Sequence, residues 1–460
     1  MQPDTLIWTL SALCAIAFYL GRHRAVQASG GHIRNLHSLP AYYGYYLALC
    51  CGLPALLVLC LWLLFDDKLI LQLILGQLPE FWRNLPEDRL SLVVNQIHNL
   101  IAGEAGIQEV DPAIRAAADH YQRLKTTGYR ILAILTLTVA TAGLVYGYRR
   151  IAPDMRARNT VEKSLRYALI LSSTLAIFVT IGIVLSVLFE SLRFFSKVPV
   201  TEFLFGLKWS PQMAIRPDQV GASGAFGFIP LLTGTLLISG IAMAVATPIG
   251  LLSAIYLSEY AKSHTRSIVK PLIEVLAGIP TVVYGFFAAL VVAPLLRDFG
   301  VQLGLTVSAE SALAAGTVMG VMIIPFVSSL TDDALTAVPR SLREGAYGLG
   351  ATQAETITGV VLPAALPGIV SGLLLAVSRA IGETMIVVMA AGMTAKLTLN
   401  PLESVTTITV QIVALLVGDQ EFDSPKTLAA FALGLTLFLI TLALNLVALH
   451  VVRRYREQYE

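Results

Sequence analysis

The stretch E-G-A-Y-G-L-G-A-T-Q-A-E-T-I-T-G-V-V-L-P-A-A-L-P-G, from Glu344 to Gly368, decides how this chain is organised. It is a polar, glycine-rich segment between two long apolar stretches, and we call it the island. Its first ten residues are rich in Glu, Ala, Tyr and Leu and favour a helix. Thr352 stands three residues before Glu355, the spacing of a capping box, and predicts a second short helix. Pro363 and Pro367 are expected to stop that second helix before the next apolar stretch begins.

Two short helices joined by a hinge at Gly350 would suit a docking element for a partner protein at a membrane face. The alternative is an ordinary loop between two membrane-spanning helices. Helix propensity and capping alone favour neither of the two interpretations.

The composition indicates a membrane protein. Only 13% of the 460 residues are charged and 56% are apolar, whereas soluble proteins carry roughly a quarter charged residues. A deficit of this size is typical of helices that face lipid, where a buried charge is costly. The net charge of +2 and the lack of a dense basic run give no sign of nucleic-acid binding. We therefore predict an all-α polytopic membrane protein.

A membrane-spanning helix needs about 20 mostly apolar residues. The first such stretch carries its basic residues after it rather than before it, so we expect a retained anchor and not a cleaved signal peptide. Nine spans are predicted, at approximately Asp4–Leu20, Tyr43–Phe65, Tyr129–Tyr148, Leu165–Leu188, Gly227–Tyr256, Pro271–Leu296, Ser311–Leu330, Ile369–Gly392 and Thr427–Val452.

Lysine and arginine in the short loops predict the orientation of these spans. The loops after the first, third and fifth spans, the island and the C-terminus are basic, and we expect them in the cytoplasm. Residues 66–128 carry nine acidic residues against six basic ones and are expected outside. The prediction is a multi-pass membrane protein whose N-terminus lies outside and whose C-terminus lies in the cytoplasm.

The chain is predicted to divide near residue 150. Residues 1–150 form an accessory region of three spans and the external segment at about 66–128, and their role is left undefined. His98 and His120 lie in that segment, but their spacing does not predict a metal site.

Residues 151–460 hold the other six spans, with the island and its approach at about 331–368. Within the external segment, Leu69–Leu78 and Ala113–Leu124 are expected to be helical. Asp332 and Asp333 are expected to be solvated, and Glu259 and Glu274 to be interfacial.

No nucleotide-binding or hydrolytic motif occurs: G-x-x-x-x-G-K-[ST], G-x-S-x-G and H-E-x-x-H are all absent. The four cysteines lie in apolar spans, which excludes a disulfide framework and a CxxC metal site. We expect a subunit without catalytic residues and without a cofactor of its own.

One charged pair lies inside a predicted span. In S-R-A-I-G-E-T-M, Arg379 and Glu383 are four residues apart and are expected to lie on one helix face, close enough to pair. Counted from Ile369, Arg379 is about 15 Å into a hydrocarbon core of about 30 Å. The pair is either a structural link between helices or a charged station for a polar solute. We favour the station, because a guanidinium suits an anion such as phosphate or a carboxylate.

The island resembles the cytoplasmic coupling motif of importer-type ABC transporter permeases, which reads E-A-A, three residues, G, nine residues, I-x-L-P. The matching residues, at the family's spacing, are Glu344, Ala346, Gly350, Leu362 and Pro363. Gly345 replaces the middle alanine and Val360 replaces the isoleucine. The resemblance implies that this loop fits a groove on a separate ATPase, which would bind ATP and Mg²⁺.

Residues 150–455 are similar to the phosphate-specific branch of that family, the PstC type. The matching segments are F-L-F-G-L-K-W at Phe203–Trp209, A-G-I-P-T-V-V-Y-G-F at Ala277–Phe286 and S-R-A-I-G-E-T-M at Ser378–Met385. The resemblance implies a six-helix type I importer permease core, here preceded by three extra transmembrane helices. It also implies a role for Arg379 and Glu383 in phosphate passage.

The implied partners are a paralogous permease subunit, two ATPase subunits, a periplasmic phosphate-binding protein and membrane lipid. The function expected from the sequence is the membrane-spanning subunit of an ATP-driven phosphate importer. Two alternatives stay open: a permease for another oxyanion such as molybdate or sulfate, and a membrane component that relays phosphate status to a signalling partner through residues 1–150.

Overall fold

The computed structural model describes residues 3–75, 100, 112–211, 224–417 and 424–456. Within these ranges the chain is helical apart from short connections and one two-residue strand pair. The helices are α1 (Pro3–Ala28), α2 (Pro40–Leu75), α3 (Pro112–Arg150), α4 (Ala157–Phe195), α5 (Val200–Phe205), α6 (Ile229–Ile255), α7 (Ser263–Gly278), α8 (Thr281–Phe287), α9 (Ala293–Gln302), α10 (Ala312–Thr336), α11 (Arg340–Gly348), α12 (Gln353–Thr356), α13 (Leu362–Ile381), α14 (Met385–Ala390), α15 (Ile408–Leu416) and α16 (Pro425–Arg456). Strands β1 (Trp209–Ser210) and β2 (Ala225–Phe226) pair antiparallel.

Nine helical segments of the described chain are long and apolar enough to cross a membrane, which confirms the expected number. Three precede residue 151 and six follow it, so the predicted arrangement of three plus six is also present. The chain forms two compact units, Met1–Phe178 and Val179–Glu460, whose boundary falls inside α4. We expected a boundary near residue 150. It falls later because Ala157, the first residue of α4, is fully buried in the core of the first unit.

The first unit is a close-packed bundle of α1, α2 and α3. Its core includes Leu10, Tyr43 and Leu47, which are buried. Helix α3 approaches α2 so closely that a β-carbon at Gly143 would lie 2.1 Å from the carbonyl oxygen of Cys50. Small residues allow such an approach between membrane helices, where packing rather than the hydrophobic effect drives association.

Helices α2 and α3 continue beyond the predicted ends of their spans, to Leu75 and from Pro112. The helical stretches expected near Leu69 and Ala113 therefore belong to these two long helices. Tyr121 donates a hydrogen bond to Asp67 Oδ1 at 2.8 Å and ties the extensions together. The rest of the expected external segment, including His98, lies outside the described residues.

The second unit is built around the pair α6 and α10. Met319 and Ile323 of α10 are fully buried and pack with Ile238 of α6. A β-carbon at Gly316 would lie 2.7 Å from the side chain of Ile241, so the two helices are in tight contact. Helices α8, α13 and α14 complete this core.

The expected span Pro271–Leu296 is interrupted at Ile279 and Pro280, where the sequence G-I-P is typical of a helix break or kink. Helix α7 ends at Gly278, and α8 begins at Thr281 after Pro280, whose ring cannot continue the preceding helix. Tyr284 closes the break by donating its hydroxyl hydrogen to the carbonyl oxygen of Leu276 at 2.8 Å. The crossing segment is Thr281–Gln302 instead.

Candidate functional site: the island and the helix break

The island begins with α11, which follows Pro339 and ends at Gly348. Gly350 has a φ of 88°, in the left-handed region that glycine adopts without strain. The predicted hinge at Gly350 is therefore confirmed. The helix starts four residues earlier than Glu344, because the pyrrolidine ring of Pro339 sets a helix start there.

The residues of the coupling motif are presented on the surface of the unit. Glu344, Gly345 and Gly350 are exposed, and so is Pro363, whereas Ala346 and Leu362 are half-buried. No atom lies within 4 Å of a β-carbon placed at Gly345, so the alanine of the family pattern would fit there. Three large apolar side chains on and after α11 are also exposed: Leu342, Tyr347 and Leu349, the last of them 92% exposed.

The predicted capping box is confirmed. Thr352 Oγ1 accepts from the backbone N–H of Glu355, and Glu355 Oε2 accepts from the backbone N–H of Thr352 at 2.8 Å. The expected stop at the two prolines is wrong, because the helix continues from α12 into α13. A wider π-turn at Ile357–Val361 precedes Pro363 and leaves room for its ring, and Pro367 lies inside α13.

An ion pair holds α11 against the rest of the unit. Arg343 Nη2 donates to Glu259 Oε1 at 3.1 Å and to the carbonyl oxygen of Leu335 at 2.7 Å. Gln353 Nε2 donates to the carbonyl oxygen of Glu259 at 2.6 Å. The segment after α6, the end of α10, helix α11 and the start of α12 therefore meet at one point. The sequence predicted only that Glu259 would lie at the membrane interface.

A second charged cluster fixes the end of α10. Asp332 is 4% exposed, and its carboxylate accepts from Arg266 at 2.9 and 3.0 Å and from Lys270 at 2.7 Å. The expectation of a solvated Asp332 is wrong, because both cations on α7 reach over it. Its neighbour Asp333 is exposed, as expected.

The expected ion pair between Arg379 and Glu383 is wrong. Helix α13 ends at Ile381, so the two residues do not share a helix face. The Arg379 guanidinium lies 5.7 Å from the ring centre of Phe326 on α10, a cation–π contact. Glu383 Oε1 instead accepts from the backbone N–H of Met385 at 3.1 Å and caps α14. The depth predicted for Arg379 by counting from Ile369 does not apply either, because the membrane-crossing segment that contains Arg379 begins at Gln353.

The backbone between α13 and α14, at Gly382–Thr384, is non-helical and forms what we call the helix break. The predicted span Ile369–Gly392 is therefore two helices. Helix α15 begins next to the break, and Thr409 in its first turn donates to the carbonyl oxygen of Glu383 at 2.8 Å. Broken helices occur at membrane depth where protein or a water-filled cavity satisfies the freed backbone groups. No local pattern in the sequence of α15 predicted this contact.

The structure therefore defines a polytopic membrane protein, with a surface-exposed island between two crossing helices and a helix that breaks just after a charged residue. Two families match it: one described as phosphate ATP-binding cassette transporter at residues 7–179, and one described as binding-protein-dependent transport system inner membrane component at residues 246–457.

The chain is 33% identical over 240 residues to the probable ABC transporter permease protein YqgH of Bacillus subtilis, an alignment covering 52% of this chain and 74% of that protein. It is 34% identical over 262 residues to the phosphate transport system permease protein PstC of Haemophilus influenzae, covering 52% and 76%. The chain therefore belongs to the family of binding-protein-dependent ABC transporter permeases, and its six-helix core is of the type I importer kind.

Among solved structures, a bacterial alginate ABC transporter in complex with a pentasaccharide-bound periplasmic protein gives a TM-score of 0.46 at 19% identity. That alignment covers 65% of this chain and 96% of the other.

Proposed function

We propose that this chain is the membrane-spanning permease subunit of an ATP-driven importer of inorganic phosphate. The relatives named as phosphate transport permeases support the substrate, since several are 30–34% identical to this chain over the aligned residues. The observation that carries the coupling role is the island, whose α11 is exposed on one side and anchored through Arg343 on the other. This geometry would let α11 transmit a movement of a docked partner to the membrane helices.

In this proposal ATP and Mg²⁺ bind to two separate ATPase subunits, because the chain has no nucleotide-binding motif. Closure of the ATPases pushes on α11, which passes the movement to α10 and α6 through the contacts of Arg343 with Leu335 and Glu259. A second permease subunit completes the pathway, and a periplasmic binding protein delivers phosphate.

Arg379 and Glu383 are proposed to line the substrate pathway. Arg379 is exposed in the last turn of α13, and its charge would offset the cost of moving an anion through a low-dielectric region. Because Arg379 makes no ion pair with Glu383 within the described chain, its donors are available to an anion. The proposed location is the bacterial inner membrane, with the N-terminus in the periplasm and the island in the cytoplasm.

The test is phosphate uptake by cells that carry Arg379→Ala or Glu344→Lys in place of the wild-type chain. We expect Arg379→Ala to lose at least tenfold in uptake while the complex still assembles. We expect Glu344→Lys to lose uptake together with co-purification of the ATPase. The matched controls are Arg297→Ala and Asp298→Lys, two exposed residues of α9 outside the island and the break.

Normal uptake in Arg379→Ala would remove its pathway role. Sulfate or molybdate uptake that falls in parallel, with phosphate unaffected, would assign a different oxyanion.

A further inference from the structure

The helix break is held by a residue that lies far from it along the chain. Thr409 is 7% exposed, and its hydroxyl donates to the carbonyl oxygen of Glu383 at 2.8 Å. On the other side of the same residue, the Glu383 carboxylate accepts from the N–H of Met385 at 3.1 Å. The backbone and the side chain of Glu383 are therefore both fixed, one by α15 and one by α14.

Helix α15 is itself held in place, so its hydroxyl donor cannot shift freely. Thr406, just before α15, lies so close to α6 that a β-carbon at Gly234 would be 2.1 Å from its carbonyl oxygen. The backbone N–H of Ile408 donates to Thr235 Oγ1 of α6 at 3.1 Å. A close backbone approach and a buried hydrogen bond thus join the start of α15 to α6, one of the two central helices of the second unit.

Gln411, one turn further, uses its whole amide. Its Nε2 donates to the carbonyl oxygen of Met393 at 3.0 Å, and its Oε1 accepts from the indole N–H of Trp209 at 2.9 Å. These contacts tie α15 to the segment that follows α14 and to β1. A rigid α15 is what a positioning contact requires, because a mobile donor could not fix the residue it binds.

We propose that Thr409 is a positioning residue, whose hydroxyl fixes the backbone of Glu383 at the break and thereby holds the Glu383 carboxylate in the orientation that caps α14. The transport consequence rests on the proposed function, in which Glu383 lines the phosphate pathway. Losing the hydroxyl removes this donor from the partly buried carbonyl of Glu383, so the segment relaxes and the carboxylate loses its fixed direction.

The first experiment measures amide hydrogen exchange in the purified complex, in a peptide that covers residues 382–386. Thr409→Val removes the hydroxyl and keeps the shape, whereas Thr409→Ser keeps the hydroxyl. We expect roughly fivefold faster exchange in Thr409→Val, the factor that one lost hydrogen bond produces, and wild-type rates in Thr409→Ser. The control is Thr441→Val, since the hydrogen bonds of the Thr441 hydroxyl within the described residues go to carbonyls of its own helix, α16. Equal rates in Thr409→Val and the wild type would overturn the positioning role.

The second experiment is a double-mutant cycle on phosphate uptake with Glu383→Gln. If Thr409 acts through Glu383, Thr409→Val lowers uptake in the wild type and lowers it no further in Glu383→Gln. Independent losses that multiply would overturn the link between the two residues. Normal uptake in Glu383→Gln together with faster exchange in Thr409→Val would instead refute the pathway role of Glu383 and leave the positioning contact standing.

Discussion

The island and the helix break are both irregular segments, and they are fixed by different chemistry. Beside the island, charged side chains make the decisive contacts: Arg343 of α11 binds Glu259, and Asp332 at the end of α10 accepts from two cations of α7. At the break, the contacts that come from α15 are made by neutral groups: Thr409 donates to a backbone carbonyl, and both ends of the Gln411 amide are hydrogen-bonded.

The difference follows from what surrounds each segment. Arg266 and Lys270 are each about one-third exposed, so they stay partly hydrated while they bind the buried carboxylate of Asp332. Hydrated cations reduce the desolvation cost that makes a fully buried ion pair expensive. The break lies in the middle of the unit's helices, where a hydroxyl or amide satisfies a backbone group at lower cost than a charge. An ionic anchor would suit the movement proposed for α11, since water can replace its partners.

The largest effect is expected from breaking the ionic anchor. Asp332→Asn removes the buried charge and leaves two cations facing an amide, so we expect the free energy of unfolding to fall by about 3 kcal/mol. Thermal or denaturant unfolding of the purified protein measures it. Asp333→Asn is the matched control, because Asp333 is exposed and its loss should change stability by less than about 0.5 kcal/mol. Equal effects in the two variants would show that the cluster is not an anchor.

The sequence predicted the island well because its signals are local. The hinge at Gly350 and the capping box of Thr352 and Glu355 depend on residues within a few positions of each other, and both are present. The proline stops were wrong, since a π-turn before Pro363 absorbs what would otherwise end the helix. The number of spans was also correct, because it depends only on runs of apolar residues.

The break could not be predicted in the same way. Arg379 and Glu383 have the spacing of a helical pair, but the helix ends between them. The bond that holds the break comes from Thr409, 26 residues beyond Glu383. Likewise the partners of Asp332 lie more than sixty residues earlier. Contacts at such separation leave no periodic or spacing signal in a single sequence.

The close packing of the segment before α15 against α6 can be tested by adding a methyl group at the contact. Gly234→Ala places a β-carbon 2.1 Å from the carbonyl oxygen of Thr406, and we expect a loss of about 2 kcal/mol in the free energy of unfolding. Gly240→Ala, on the same helix, meets no atom within 4 Å and should be neutral or slightly stabilising. A tolerated Gly234→Ala would mean that α15 can move away from α6, which contradicts a rigid α15.

At the hinge of the island, alanine in place of Gly350 is expected to lower the free energy of unfolding, whereas alanine in place of the nearby Gly348 is not. Gly350 has a φ of 88°, so Gly350→Ala is expected to cost about 1 kcal/mol. Gly348→Ala lies at the end of α11 without a positive φ and with open space around it, and should be neutral or stabilising. The comparison is made by unfolding midpoints, with phosphate uptake as a second readout. If both alanines cost the same, the left-handed conformation at Gly350 is not what fixes the hinge.

The smallest effect is expected at an ion pair between an exposed lysine and a half-buried glutamate. Lys396 Nζ lies 2.5 Å from Glu403 Oε2, in the segment between α14 and α15, and this contact holds the pKa of Glu403 below its ordinary value of 4.5. A lowered pKa means that the contribution to stability is complete above pH 4.5 and is lost as the pH falls through the folded-state value. The unfolding midpoint of Glu403→Gln should therefore lie slightly below that of the wild type at pH 7 and meet it in acid. Because the lysine is more than half exposed and the glutamate about one-third exposed, high salt should weaken the difference at pH 7. The loss in Asp332→Asn should persist in the same salt, since the Asp332 side chain is only 6% exposed. A salt-resistant effect at Glu403 would show that exposure does not separate the two kinds of ionic contact.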